Sequence, residues 1–390
     1  MTPRRLLVLL CVTVGTMTCS LGAFPALLPE IGTAAGLSDL ELGVVAGAFG
    51  FSRMLVDVPA GLLMTHHVRR AMVAAPVLML GGIACLAAGG TLPWLLLGRV
   101  LMGVGHTFGM LGGLTTILRA REAGGLASAL NAFEFSAMLG ILAGVTAVGA
   151  LPGALPWNVA FLIAAAPLLV AFVTIRGTLA ALPPPDGPRP WFSRAAAGGH
   201  GGAGAVVLIA FVAGTTVALT YGTVESFLIP LRGSREFGLD RAGVARLLML
   251  TQICDILALL PLGALADRRG TAGVLAGVLV AHAVGLSLVA FGTLAYAVAG
   301  SVLFGLAMAG WMLPLGLLRA GTPAAQVAWR TALYRVFVDG GLFLGPFLSG
   351  LLAARFAHVL PAALIVVLLG LGAAILLLLG RGPSIAERWR

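Results

Sequence analysis

Polar side chains in this chain come in short clusters, and between them lie long uninterrupted apolar runs. Twelve runs, at 6–28, 41–64, 71–90, 92–118, 125–150, 156–176, 204–230, 242–266, 272–291, 293–319, 331–355 and 358–380, are long enough for helices that cross a bilayer, which takes about 20 residues each. The first run follows Arg4 and Arg5, is too long for a signal-peptide core and precedes no small-residue cleavage site, so it is expected to stay as a helix. Between the sixth and seventh runs lies a connector from Arg176 to Ala203, with Pro183-Pro184-Pro185, Pro188, Pro190 and Gly198-Gly199. Its composition is that of a flexible linker. The expected domains are a six-helix bundle over 1–176, a cytoplasmic linker over 177–203 and a second six-helix bundle over 204–390.

The halves repeat each other. Gly36-Leu37 matches Gly238-Leu239, Pro59 matches Pro261, Gly61 matches Gly263, and Leu101 and Gly103 match Leu303 and Gly305, all at an offset of 202 (238 − 36). Further on the offset becomes 205 (345 − 140), where Gly140 meets Gly345 and Glu134 meets Asp339. Each match is weak in a chain with 55 glycines, but they share one register. Parallel repeats of six helices with a site between them near the bilayer midplane are a transporter architecture. The fold expected is therefore an all-α membrane protein, twelve transmembrane helices in two pseudo-symmetric six-helix bundles.

Composition agrees. Mean hydropathy is +1.06 and only 10% of residues are charged, against about 25% in soluble domains. The net charge of +10 would suit a nucleic-acid binder, but its placement argues otherwise. With the N-terminus inside, Arg69, Arg70, Arg119, Arg121, Arg268, Arg269 and Arg330 fall on the inner side, and only Arg232, Arg235, Arg241 and Arg355 on the outer. That asymmetry places both termini in the cytoplasm and the chain in the cell (inner) membrane, with the lipid bilayer and not nucleic acid as its surroundings. Cys11, Cys19, Cys85 and Cys254 all lie in apolar runs, where a small core residue is the expected role. There is no phosphate-cradling loop, HExxH, paired intramembrane His or Ser elbow, and His66-His67 has no Cys, Asp or Glu nearby. Neither ATP use, a metal, another cofactor nor enzymatic chemistry is expected.

Gly50 to Arg70 is the most informative stretch. Arg53 and Asp57 stand one turn apart inside an apolar run, on the face shared by Ala46, Gly50 and Gly61. A charge at mid-bilayer costs roughly 2.5–3.5 kcal/mol, so this face should meet other helices or a watery cavity. It can be an ion pair pinning two helices or the wall of a polar pathway. Arg99, Glu134, Glu225, Arg246, Asp255, Arg335 and Asp339 are the other charges inside the runs, giving four Arg (53, 99, 246, 335) against five acids. Their summed cost would exceed a typical stability of about 5–15 kcal/mol, so pairing and hydration must offset most of it.

Glu134 and Asp339 occupy matching places in the fifth and eleventh helices. A carboxyl in such surroundings can gain and lose a proton as water reaches it from either side, which is the physical requirement of proton coupling. Arg335, one turn before Asp339, is its expected partner, leaving Glu134 as the proton site; pure helix-locking is the alternative. Asp255 aligns with Arg53 at the 202 offset (255 − 53), which suggests a bridge between the bundles that breaks on opening. Glu225 follows Tyr221 by one turn, as a cavity wall or near the interface. Arg99, Gly103 and His106 share one helical face; His106 is either a titrating group or a hydrogen-bonded core residue. Phe24, His106, Tyr221 and Trp311 are the candidate lining of a substrate pocket, and His282 is expected to be packing.

The loop between the eighth and ninth runs carries Gly263, Asp267, Arg268 and Gly270. Its counterpart keeps Gly61, Arg69 and Arg70 but has Thr65, His66 and Val68 where Asp, Arg and Gly would stand. With Arg99, Gly103 and Gly105 in the fourth helix, these residues resemble the major facilitator superfamily over essentially the whole chain. The resemblance implies that the two loops act as gates, and that Arg99 serves proton transfer or organises the central cavity. Gly140 and Gly144 are only loosely similar to the family's efflux signature, whose Gly-Pro pair appears instead as Gly345-Pro346. The implied function is alternating-access transport of a small-molecule substrate with protons, by a monomer, with export by antiport favoured. The alternatives are proton-coupled import of an organic anion drawn by Arg53, Arg99 and Arg335, and a non-transporting sensor on the same scaffold.

Overall fold

A computed structural model describes residues 3–120, 125–181, 204–323, 326–356 and 359–380. Most of the expected linker, from residue 182 on, and Arg121 lie outside the described residues, as do the side chains of His66 and Arg355. Twelve spans are present among the described residues: α1 (Arg4–Ala35), α2 (Asp39–Met64), α3 (His67–Ala88), α4 (Leu92–Arg119), α5 (Ser128–Ala150), α6 (Trp157–Ala180), α7 (Gly204–Arg235), α8 (Arg241–Arg269), α9 (Thr271–Phe291), α10 (Leu294–Ala320), α11 (Trp329–Ala353) and α12 (Val359–Leu378). Helix runs on to Ala181, past the Arg176 at which the connector was expected to begin. The odd-numbered spans leave one face of the bundle, here the near face, and the even-numbered spans return to it.

The internal repeat is visible in the backbone. At the far face, Gly36 and Gly238 turn the chain with φ of +62° and +64°, a conformation that a side chain resists. Two residues later Ser38 and Asp240 cap α2 and α8, accepting from the amides of Glu41 and Gly243. At the near face the repeat fails, for a reason visible in the residues. Gly270 takes φ +87° and ends α8, whereas its counterpart Val68 lets the helix continue from α2 into α3 with a single break at His67 (φ −128°, ψ 31°). The basic loop expected at 66–70 is therefore a kinked helix.

Glycines set how closely the spans approach. Gly140 and Gly144 on α5 lie against the backbone of α1 at Gly15 and Cys19, with no room for a Cβ. On α2, a Cβ at Gly47 or Gly50 would lie 2.7 Å from the carbonyl oxygen or amide nitrogen of Phe343 on α11. Close approach of this kind is how small residues join helices in lipid, where apolar burial supplies little drive. Large apolar side chains such as Val173, Leu208, Leu257 and Leu378 point outward, as a lipid-facing surface requires.

Three spans depart from regular helix. α6 is interrupted at Ala166-Pro167, between segments Trp157–Ala165 and Leu168–Ala181. α7 passes through a π-helical turn at Val224–Leu228 just before Pro230. α10 breaks between Met308 and Leu313, before Pro314, and Trp311 sits in the break. Such interruptions free backbone groups and redirect side chains, and they tend to be retained at functional positions.

Candidate functional site

The glycine-tightened contact of α2 with α11 brings four charges together. α2 and α11 run antiparallel, and Arg53 faces Asp339 while Asp57 faces Arg335, both with residue numbers summing to 392 (53 + 339, 57 + 335). The Arg53 Nη2 to Asp339 Oδ1 distance is 2.8 Å, and Arg335 Nε donates to Asp57 Oδ2 at 3.2 Å. Two expected pairings are corrected here. Arg335 does not take Asp339, its neighbour one turn along, and Arg53 does not take Asp255. The glycines draw α2 so near α11 that each guanidinium reaches the carboxylate directly opposite, whereas Asp255 lies on α8, which packs on α5 and α10.

This square is under-bonded. Arg53 and Asp339 are close in distance but not aligned as a hydrogen bond. Arg53 Nε, Asp57 Oδ1 and both Asp339 oxygens are sealed from solvent without a hydrogen-bond partner. Each such group costs about 1–3 kcal/mol. Asp339 is 1% exposed, but Arg53 and Arg335 are 16% and 27% exposed, so an opening reaches the cationic side of the square.

Around it stand the other candidates. Glu134 on α5 lies within electrostatic reach of both Arg335 and Arg53 and makes no ion pair among the described residues. Arg99 is buried: it donates to the carbonyl oxygens of Val45 (3.4 Å) and Ala46 (3.2 Å), and its guanidinium lies 3.9 Å over the Phe24 ring and 5.0 Å from that of Phe49. Phe24 thus supports Arg99 from within the core and does not line an opening, contrary to its expected place in a pocket. His106 is also buried, 5.4 Å from the Phe49 ring. Tyr221 and Trp311 do come together, edge to face at 5.9 Å. Glu225 projects from the π turn against the Tyr221 hydroxyl, and Asp255 lies within reach of both. Arg246, counted among the buried charges, is exposed. His282 packs as expected, against Phe304, the Val278 carbonyl and the Met308 sulfur. A small apolar cavity inside the first half, lined by Leu10, Thr13, Met17, Met72 and Phe133, contains none of these candidates.

The far face carries a second set of charges that sequence reasoning passed over as loop residues. Arg241, at the start of α8, holds Glu30 of α1 with both arms of its guanidinium (2.7 and 2.5 Å) and donates to the carbonyl oxygens of Leu155 (2.7 Å) and Pro152 (3.3 Å). Arg235 reaches Asp39 at 2.6 Å, and Gly43 lies against Pro346 and Gly350. All of these join the two halves. The available signal was inverted charge at the repeat: Asp39 and Arg241 are equivalent at the 202 offset (241 − 39). On the near face, by contrast, Gly263, Gly270, Gly273 and Gly277 have open space where a Cβ would project, and Asp267 and Arg268 are exposed, as are Arg69 and Arg70 beside the half-buried Gly61. The halves are joined at the far face, and the turn between α8 and α9 is exposed at the near face.

The comparisons fit this arrangement. A family model described as Major Facilitator Superfamily matches residues 8–205. No curated protein matches the sequence. Among solved structures, a bacterial homologue of the human lysosomal transporter Spinster, in an inward-facing and unoccupied conformation, aligns with a TM-score of 0.77 and 16% identity over 100% of this chain and 99% of that one. A POT family transporter in complex with 5-aminolevulinic acid aligns with a TM-score of 0.82 at 12% identity, covering 95% of each chain. The nucleoside transporter NupG gives 0.74 at 12% identity, covering 96% of this chain and 99% of that one. With a family match over half its length and this fold over its whole length, the chain belongs to the major facilitator superfamily, as a multi-pass membrane protein of the secondary-transporter type.

Proposed function

We propose that the chain moves a small organic molecule by alternating access, driven by protons, and that it works as an exporter in antiport. The near face is then cytoplasmic, both termini with it, which agrees with the Arg-rich near-face ends and the positive-inside rule. The observation that carries the reading is the square of Arg53, Asp57, Arg335 and Asp339. It bridges the two halves at mid-span, yet leaves carboxylate oxygens unbonded, so it is a contact that can be exchanged for another.

Glu134 supplies the exchange. It belongs to the same half as Arg53 and lies within reach of both guanidiniums of the square. Ionised, it competes with Asp339 for Arg53 and loosens the contact between the halves; protonated, it withdraws and the square reforms. Proton movement on Glu134 is thereby tied to opening and closing. Import of an organic anion would draw on Arg53, Arg99 and Arg335, and each of these already has carboxylate or carbonyl partners.

Proteoliposomes with an imposed pH gradient test the reading, using a panel of radiolabelled organic solutes. Vesicles made acid inside should accumulate solute by antiport and lose it by symport. Glu134→Gln should abolish the gradient-driven flux while leaving solute binding intact. Flux with unchanged pH dependence would remove Glu134 from the mechanism, and binding without flux under any gradient would favour a sensor.

A further inference from the structure

The charges of the central region do not cancel, and the remainder has one sign. Arg53 and Arg335 are matched by Asp339 and Asp57. Arg99 is held by carbonyls and aromatic faces. Glu225, Asp255 and Glu134 make no ion pair among the described residues, so three carboxyls stand against one arginine. Two of the three converge. Glu225, 7% exposed, leaves the π turn of α7, and Asp255 on α8 lies within electrostatic reach of it, with Oδ1 sealed and unbonded. Beside them Tyr221 and Trp311 present an aromatic corner, with Trp311 at the break in α10. Two independent backbone irregularities therefore deliver an acid and an indole to one place.

We propose that this corner, bounded by Glu225, Asp255, Tyr221 and Trp311, binds the transported molecule, and that the molecule is an organic cation with an apolar body. The inference rests on the transporter reading above and narrows its substrate class. An uncompensated buried carboxylate recovers its lost solvation from a cation at contact distance. Aromatic faces attract the same charge through their quadrupoles and accept an apolar body without a hydrogen-bonding requirement. An anion gains neither, since the arginines within reach are engaged.

Equilibrium binding to the full-length protein in detergent tests this without requiring flux. Two charge-opposed probe pairs of matched shape suffice: tetraphenylphosphonium against tetraphenylborate, and phenethylammonium against 3-phenylpropionate. The cation of at least one pair should bind at least tenfold more tightly than its anion. Glu225→Gln and Asp255→Asn, checked for folding by thermal unfolding, should each weaken the preferred cation by tenfold or more, and Trp311→Ala by severalfold. Equal or inverted preference in both pairs, no binding of either cation, or carboxamide variants that are folded and bind within twofold of wild type would each overturn the proposal. Gradient-driven flux of other solutes would survive that outcome. Cation binding without any gradient-driven flux would instead leave this site standing and refute proton coupling.

Discussion

The far-face clasp makes a prediction whose size follows from its geometry. Arg241→Ala removes a two-armed guanidinium that is 2% exposed, its two bonds to Glu30 and its bonds to the carbonyl oxygens of Leu155 and Pro152. A hydrogen bond to a charged group contributes about 1.5–3 kcal/mol. Glu30 is 35% exposed, so solvent screening places the ion pair at the lower end of that range. With about 1 kcal/mol from the carbonyl bonds, the clasp should favour the closed far face by about 2–3 kcal/mol. Its loss should shift the equilibrium toward an open far face about 30- to 150-fold. The neighbouring pair Arg235–Asp39, 50% and 30% exposed, should contribute roughly 0.2–1 kcal/mol, and Arg235→Ala should do little.

Spin labels at Gly153 and Thr293 read the outcome. Both lie in exposed far-face turns, one in each half, and neither side chain is in use: Gly153 faces open space and Thr293 makes no capping bond. With the four native cysteines replaced, electron–electron resonance should show a single far-face distance in the parent. A longer component should appear in Arg241→Ala and be absent in Arg235→Ala. If folded Arg241→Ala keeps the parent distribution, the clasp does not hold the far face shut and the argument fails.

Other consequences are smaller in scope. Exchanging the charges of the square, Arg53→Asp with Asp339→Arg, should recover more transport and thermal stability than either single change, because removing one partner of a buried pair typically costs about 3–5 kcal/mol; a double variant no better than the singles would break the pairing. Gly270→Val should cost about 1–3 kcal/mol, since φ +87° with ψ 137° is a backbone region that side chains resist, while Val68→Gly in a continuous helix should cost no more than about 1 kcal/mol; equal thermal shifts for the two would contradict the contrast between the near-face connections. Gly350→Leu leaves no space against Asp39 and Gly43, so it should lengthen the far-face distance as Arg241→Ala does.

Span number, the repeat and its register were legible because each rests on a local signal: apolar run length, and turn glycines at a fixed offset that take the same backbone conformation. Legible too was which charges must face inward, with Arg246, which is exposed, the exception. Their partners were not. Sequence spacing puts Arg335 beside Asp339 on one helix, but whether a facing helix offers something better depends on interhelical distance. That distance was set by Gly43, Gly47 and Gly50; Gly50 was placed on the charged face from the sequence, but among 55 glycines nothing told which helix these three would meet. Phe24 was misplaced for a similar reason, because an aromatic ring in a span looks the same whether it lines an opening or supports a guanidinium. The near-face connection shows the converse. Val68 in place of glycine was noted as a departure from the repeat, and its meaning is physical: without a residue that accepts positive φ, the helix does not stop.

The repeat also explains why some charges are paired and others are left over. Contacts across a pseudo-twofold axis come in equivalent pairs, so a residue of one half and its equivalent in the other must each find a match. Glu30 and Arg232, and likewise Asp39 and Arg241, are equivalent at the 202 offset (232 − 30, 241 − 39) and opposite in charge. If Glu30 meets Arg241, then Arg232 would meet Asp39, and both contacts are attractive. In the structure the first is made. The second is made one turn along by Arg235, while Arg232 turns to Glu236 and the Val289 and Gly292 carbonyls. Inversion therefore lets one interface hold at both of its equivalent sites. Mid-span the rule changes. The equivalent of Arg53–Asp339 is Asp255–Glu134, two acids, and these make no ion pair among the described residues. One equivalent contact is locked and the other cannot be, unless a proton or a cation stands between the halves of the pair. The two carboxyls that the symmetry leaves unmatched are thus the ones to which proton coupling and cation binding are assigned above.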